Sequence, residues 1–283
     1  MRIAVSHETT YRYESEVLYS VQYLRLSPRS GRRQRVLSWK IEAPGALRPW
    51  VDAFGNDTHV LVLARPHDEI CVRARGEVDV SEEAGAVEEL GPQRLDVYLR
   101  QTSLTEPDRD VAAFAAEFRQ KVHDDRNEGL LALMNALRER IEYKAGITQV
   151  SSHASEVFAR KAGVCQDHAH LFISCCRLLD VPARYVSGYV APREDRPAAS
   201  HAWAEAWIDR EGWCGFDVSN GVVPAGRHIR MAVGLDYLDA SPIRGFRKGG
   251  SGESMAVDVR VRDAQRPGSG FPPVVEQQQQ QQQ

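Results

Sequence analysis

The sequence predicts an α+β protein, with an N-terminal antiparallel β-sandwich domain followed by a core of helices packed on an antiparallel sheet. From Ile3 to about Val80, apolar and polar residues alternate between turn signals, the period of strands with one buried face. After Pro107 the apolar spacing lengthens to three and four residues, as in Val111, Phe114, Phe118 and Val122, which is the helical period. After Pro182 the strand period returns, and helices followed by strands, rather than interleaved with them, favour an antiparallel sheet.

Taken in order, residues 36–42 place Trp39 and Ile41 on one strand face. Phe54-Gly55-Asn56-Asp57 reads as a hairpin turn because Gly and Asn tolerate positive φ, and residues 58–63 return as a strand. Ile70-Cys71-Val72-Arg73-Ala74, followed by Val78 and Val80, continues the pattern, and short strands between turns favour a sandwich. His7, His59 and His67 stand alone and are expected at the surface or half-buried. The domain is expected to shape one wall of a cleft. Acidic residues 81–85 form a surface loop, and the change of period sets domains at 1–104 and 105–262 with a tail at 263–283.

In the second domain, Val111 to Val122 predicts one amphipathic helix with Thr105 or Asp108 as cap, and Leu130, Met134, Leu137 and Ile141 predict another. Residues 153–159 suggest a short helix. Leu171, Phe172, Cys175, Leu178 and Leu179 mark a helix that Val181-Pro182 ends, since proline cannot extend it. Residues 184–190, 201–209 and 212–217 follow as strands, with Asp209-Arg210-Glu211-Gly212 as a tight turn. The Pro-rich and charged residues 191–200 are expected to form a mobile loop at the cleft, and residues 257–261 one more strand. The tail, which ends in seven glutamines at 277–283, is too polar to fold and is expected to be disordered.

The 283 residues, 42% hydrophobic and 27% charged with a net charge of −3, fit two soluble domains and argue against nucleic acid or an anionic membrane as partner. Basic residues 25–35 read as a solvated loop. Five cysteines do not make a disulfide framework, so a reducing compartment is expected. The N-terminus turns polar too early for a signal peptide and no apolar stretch reaches membrane length, so the expected location is cytoplasmic.

Chemistry concentrates between Gly163 and Asp217. Cys165 follows Gly163-Val164 at the mouth of a helix, where free N–H groups and the positive end of the helix dipole favour negative charge on a nucleophile. His201 opens one strand and Asp217 ends the next, so an antiparallel hairpin brings them together. A thiol needs a base, and the base needs a third group to fix its tautomer and orientation. The backbone N–H of Cys165 is the expected oxyanion donor. Gln166 could polarise a carbonyl, and Trp203 could shield the base, line the substrate channel or simply pack; both are candidate substrate-binding residues. A zinc site from Cys165, His168 and His170 is the chemical rival, but residues two apart on a helix do not face each other, so no metal and no cofactor is expected. Cys175, Cys176 and Cys214 read as structural thiols.

Four ordered blocks carry a family resemblance: Gly163-Val164-Cys165-Gln166-Asp167-His168-Ala169-His170, Pro182-Ala183-Arg184-Tyr185-Val186-Ser187-Gly188-Tyr189, Ser200-His201-Ala202-Trp203, and Gly212-Trp213 with Phe216-Asp217. They resemble the core of the bacterial transglutaminase-like superfamily of papain-related cysteine enzymes. His7-Glu8-Thr9-Thr10-Tyr11-Arg12-Tyr13, Leu24-Arg25-Leu26-Ser27-Pro28-Arg29 and Asp52-Ala53-Phe54-Gly55-Asn56 resemble the β-rich N-terminal domain often joined to it. The resemblance implies a transglutaminase/papain-like core in which Cys165 is nucleophile, His201 base and Asp217 orienting acid. It implies a peptidase or amidase that acts on a peptide or protein through an acyl-thioester. Transglutaminase acyl transfer from glutamine to an amine uses the same triad and stays open, as does a catalytically silent peptide-binding module. The chain departs from the family pattern where Val218-Ser219-Asn220 replaces Pro-Thr-Asn, where His168 replaces Phe, and where Leu235 replaces a common Arg in a segment, 228–238, resembling the family's closing strand.

Overall fold

The computed structural model describes residues 1–87, 94–191 and 199–265; most of the loop expected to be mobile and the glutamine tail lie outside the described residues. The first domain opens with β1 (Arg2–Leu24), β2 (Gln34–Glu42), β3 (Leu47–Val51), β4 (Asp57–Leu63) and β5 (His67–Val80), ordered β2-β5-β1-β4-β3. Strand β1 is 23 residues long, and its register with β5 shifts between Arg12 and Val17. Such irregularities bend a strand and sharpen its twist. The antiparallel sheet therefore curls, and Tyr11, Val17, Leu24, Leu61, Ile70 and Val72 fill its inside.

The core continues with α1 (Arg109–Ala116), α2 (Arg119–Asp124), α3 (Arg126–Arg140), β6 (Glu142–Tyr143), α4 (Ala154–Arg160), β7 (Ala162–Gly163) and α5 (Cys165–Leu178). The single helix expected through Val122 is broken at Phe118, which keeps Val122 buried while residues 119–121 turn outward. Asp108 caps α1 by accepting from the N–H groups of Asp110 and Val111 at 3.1 and 2.9 Å, whereas Thr105 is buried against Thr102. Next come β8 (Ala183–Val190), β9 (Ala199–Ile208), β10 (Gly212–Phe216), β11 (His228–Gly234) and the short α6 (Tyr237–Ala240). The four strands form an antiparallel sheet ordered β10-β9-β8-β11. Helix α5 lies on it, with Phe172, Cys175 and Cys176 packed in one core with Ala202, Ala204, Ala206 and Phe216. The small side chains of β9 let the helix come close.

Residues 243–263 correct the expected domain division. They form β12 (Ile243–Gly249) and β13 (Glu253–Asp263), which pair with β1 and so join the N-terminal sheet rather than the core of helices and sheet. Alternation marks a strand but not the sheet it joins. The β domain is thus built from both ends of the chain.

An apolar seam holds the two domains together, with Ile3, Val5, Val78, Val80 and Val261 against Tyr189, Ala191, Ile229 and Met231. His7, expected at or near the surface, is 3% exposed, and its Nδ1 lies 2.6 Å from the Tyr189 hydroxyl across this seam. Burial lowers its pKa to about 4, which keeps the ring neutral. Strand β11 is the edge of the core sheet, and the β domain covers that edge with amide side chains. Gln34 donates to the Arg230 carbonyl at 2.8 Å and accepts from its N–H at 2.9 Å. Asn56 does the same to Val233 at 2.7 and 2.8 Å. Each amide stands in for a neighbouring strand.

Asn56→Ala therefore strips partners from a buried N–H and a buried carbonyl at once, and is expected to destabilise the protein by about 1–3 kcal/mol. Urea denaturation measures it; a loss below about 0.5 kcal/mol, the size of a neutral surface change, would contradict the assignment.

Candidate active site

Cys165 is the first residue of α5 and is partly exposed. The loop before it is held from several directions. The Asp167 carboxylate Oδ2 accepts from the Val164 N–H at 2.8 Å and from the Thr148 hydroxyl at 2.7 Å. Gly163 is required here, because a Cβ at that position would lie 2.7 Å from Asp167 Cβ and Oδ2. Burial raises the pKa of Asp167 against the pull of those hydrogen bonds. His168 places Nδ1 2.9 Å from the Val164 carbonyl and Nε2 3.1 Å from the Ile141 carbonyl, tying the loop to the end of α3. Strands β6 and β7 pair Tyr143 with Gly163 and add a backbone link. The N–H of Cys165 belongs to the first turn, where no carbonyl of the helix can accept from it, so it is available to a developing oxyanion.

The β9–β10 hairpin delivers the other two residues as the spacing predicts. His201 Nε2 lies 2.7 Å from Asp217 Oδ2, and Asp217 is fully buried. With Nε2 on the carboxylate, Nδ1 is the ring nitrogen left for an interaction with Cys165. Burial opposes a charged imidazole, but the hydrogen bond and charge of Asp217, helped by Cys165, outweigh it and raise His201 to about 10. Burial likewise opposes ionisation of Asp217, and the hydrogen bonds and charges of His201 and then His228 outweigh it, holding the carboxyl well below the usual range. Ser219 Oγ and the Asn220 N–H donate to Oδ1 at 3.0 and 3.2 Å, and the Asn220 amide donates to Oδ2 at 2.6 Å. The departure at 218–220 thus leaves the Asp217 carboxylate supplied with hydrogen-bond donors.

Trp203 is 3% exposed and stacks on His201, with centroids 6.2 Å apart, while meeting His228 edge-on at 5.4 Å. It also packs in a small apolar cluster with Val186 and Val233. Gly188 makes room for its ring, since a Cβ there would sit 2.5 Å from the indole. Gln166 donates its amide to the Val150 carbonyl at 3.0 Å and braces the loop beside the thiol. His228 is the site residue that sequence reasoning missed: its Nε2 lies 2.9 Å from Asp217 Oδ2. A lone histidine opening a strand carries no spacing signal toward Asp217, because the fold alone brings them together.

Cys165, His168 and His170 do not converge as a metal site would require. His168 turns both nitrogens to backbone carbonyls, and His170 Nε2 accepts from the Tyr237 N–H at 3.1 Å, its pKa lowered to about 4 by burial. His201, Asp217 and His228 do bring ligand-type atoms within 4.8 Å of one another. Their spacing of 2.7 and 2.9 Å, with the Asn220 amide on the same oxygen, is that of a hydrogen-bonded cluster. Of the other thiols, burial pushes Cys175 and Cys214 up to about 12 and Cys176 well above its ordinary value.

Known proteins match the chain in both domains. The family model of the transglutaminase-like superfamily matches residues 112–218, and that of the bacterial transglutaminase-like N-terminal region matches residues 3–79. An uncharacterized protein of Mycobacterium leprae is 31% identical over 277 residues, covering 92% of this chain and 98% of its own. A second, from Mycobacterium bovis, is 30% identical over 296 residues, covering 92% and 91%. A protein-glutamine gamma-glutamyltransferase of Pseudomonas aeruginosa is 29% identical over 104 residues, 32% of this chain and 15% of its own. Among solved structures, a provisionally assigned cysteine protease from Cytophaga hutchinsonii shares the fold with a TM-score of 0.71 at 20% identity, covering 96% of this chain and 94% of its own. With its own N-terminal region joined to the core, this chain belongs to the bacterial transglutaminase-like superfamily.

Proposed function

We propose that the protein is a cysteine-dependent amide-bond hydrolase, a peptidase or amidase that works through Cys165, His201 and Asp217. The observation that carries this is an imidazole whose Nε2 lies 2.7 Å from a buried carboxylate and whose pKa is raised in part by Cys165, a partly exposed thiol at a helix start. An imidazole that holds its proton to about pH 10 is a general acid at neutrality. The Cys165 sulfur, its proton held by His201, attacks the substrate carbonyl, and the Cys165 N–H receives the oxyanion. As the C–N bond breaks, His201 gives its proton to the departing amine, leaving an acyl-thioester. Neutral His201 then takes a proton from water, whose oxygen attacks the thioester. The acid leaves, and His201 carries the proton once more. The provisional assignment of the Cytophaga hutchinsonii neighbour points the same way.

Acyl transfer to an amine is the second reading, favoured by the name of the Pseudomonas aeruginosa relative, which covers only 104 residues. The two readings differ in what resolves the thioester. Transfer needs an acceptor channel that excludes water. A peptide substrate incubated with a labelled primary amine is therefore expected to yield free acid with little amide, and truncation after Arg262 to leave the rate unchanged. Stoichiometric amine incorporation would establish transfer instead, and no turnover of any peptide would support a binding module.

A further inference from the structure

We propose that His228 is a positioning residue of the catalytic machinery, a second imidazole that holds Asp217 in line with His201; the proposal rests on the Cys165, His201 and Asp217 reading. His228 is 9% exposed and opens β11. Its Nε2 lies 2.9 Å from Asp217 Oδ2, the same oxygen that His201 Nε2 meets at 2.7 Å. A carboxylate has no proton to give, so both imidazoles donate to it. The Nδ1 of His228 lies 3.3 Å from the Ala225 carbonyl, and the Trp203 edge contact fixes the ring plane.

The need for a second imidazole arises during the reaction. When His201 gives up its proton to the leaving amine, Asp217 loses its cationic partner in a fully buried place. A carboxylate held by fewer donors could turn out of line with the Nε2–H of neutral His201, and the ring would then lose the orientation and tautomer it presents to the thiol and to water. The donors from His228 and from Asn220 remain through that step, so the carboxylate stays ionised and His201 keeps Nε2–H. The residue therefore acts on the turnover step and not on substrate binding. Its place is set by the β domain, because Gln34 grips the backbone of Arg230, two residues further along β11. This gives the N-terminal domain a part in catalysis besides packing.

The test compares His228→Phe with His228→Gln, whose amide can still donate to Asp217. Hydrogen bonds to charged groups are worth enough that the Phe variant is expected to lose about 10- to 100-fold in kcat with KM unchanged, and the Gln variant to recover to within about threefold of wild type. Cys165 alkylation by iodoacetamide should slow in Phe and recover in Gln. Equal losses in both variants, or none, would overturn the proposal. If the Phe variant does not fold, nitrogen-15 NMR of the wild-type histidines decides. A hydrogen-bonded Nε2 proton on His228 that vanishes in Asp217→Asn supports the proposal, and its absence in the wild type contradicts it. Wild-type Cys165 no more reactive than a free thiol would instead refute the nucleophile assignment itself.

Discussion

Asp217→Asn is expected to lower turnover about ten-thousand-fold while leaving the protein folded and the Cys165 thiol present. The carboxylate accepts on Oδ2 from His201, His228 and the Asn220 amide, and on Oδ1 from Ser219 and the Asn220 N–H. An amide replaces one accepting oxygen with a donating nitrogen. If that nitrogen faces His201, the ring must turn its lone pair to it and move its proton to the side of the thiol, so neutral His201 can no longer take a proton from Cys165 or from water. Kinetics together with a melting curve check this; near-wild-type turnover would mean that another group orients His201. The pH dependence of stability adds a second reading of the same variant. Because the folded-state pKa of His201 is raised to about 10, its contribution is fully present below about pH 6.5 and is lost as the pH rises toward 10. Because that of Asp217 is depressed, its contribution is present above about pH 3.8 and is lost as the pH falls. The Asn variant should flatten the alkaline part of that curve.

Glu205→Leu is expected to cost about 3–5 kcal/mol, a large part of the stability of an ordinary domain. Glu205 and Arg184 are each 1% exposed. Oε2 of Glu205 lies 2.7 Å from Nε and 2.6 Å from an outer nitrogen of Arg184, and Oε1 lies 3.2 Å from Arg230 Nε. The Arg184 guanidinium also sits 4.0 Å over the Trp213 ring. Removing the carboxylate takes the Glu205 counter-charge from that buried guanidinium, whereas replacing both partners with apolar residues removes the charge together with its need. Arg184→Leu combined with Glu205→Leu should therefore be more stable than Glu205→Leu alone, as read by denaturant titration. A single-variant cost below about 1 kcal/mol would show the pair to be no better than a surface ion pair.

The candidate site was legible because each of its proposed catalytic residues stands where a local rule speaks. Cys165 follows a glycine turn at a helix start, and His201 and Asp217 flank one hairpin whose turn is written in Asp209-Arg210-Glu211-Gly212. The β domain was legible as strands from their alternation, and the glycine, asparagine and proline signals set most of their ends. What was not legible depends on distant pairing. Nothing in residues 243–263 shows that they return to β1, and nothing near His7 or His228 announces Tyr189 or Asp217. The helix break at Phe118 escaped for a different reason: the apolar spacing continues across it without a glycine or proline.

The central claim is that Cys165 is the activated nucleophile, and the most direct measurement is the rate at which each of the five cysteines is alkylated by iodoacetamide at neutral pH, mapped by mass spectrometry. Cys175, Cys176 and Cys214 are buried, with thiol pKa values that burial raises, while Cys165 is partly exposed at the start of α5 and interacts with the His201 imidazole. Cys165 should react first and faster than a free peptide thiol, and His201→Ala should remove that advantage. Faster reaction at Cys71 or Cys214, or a Cys165 no quicker than the free thiol, would contradict the account.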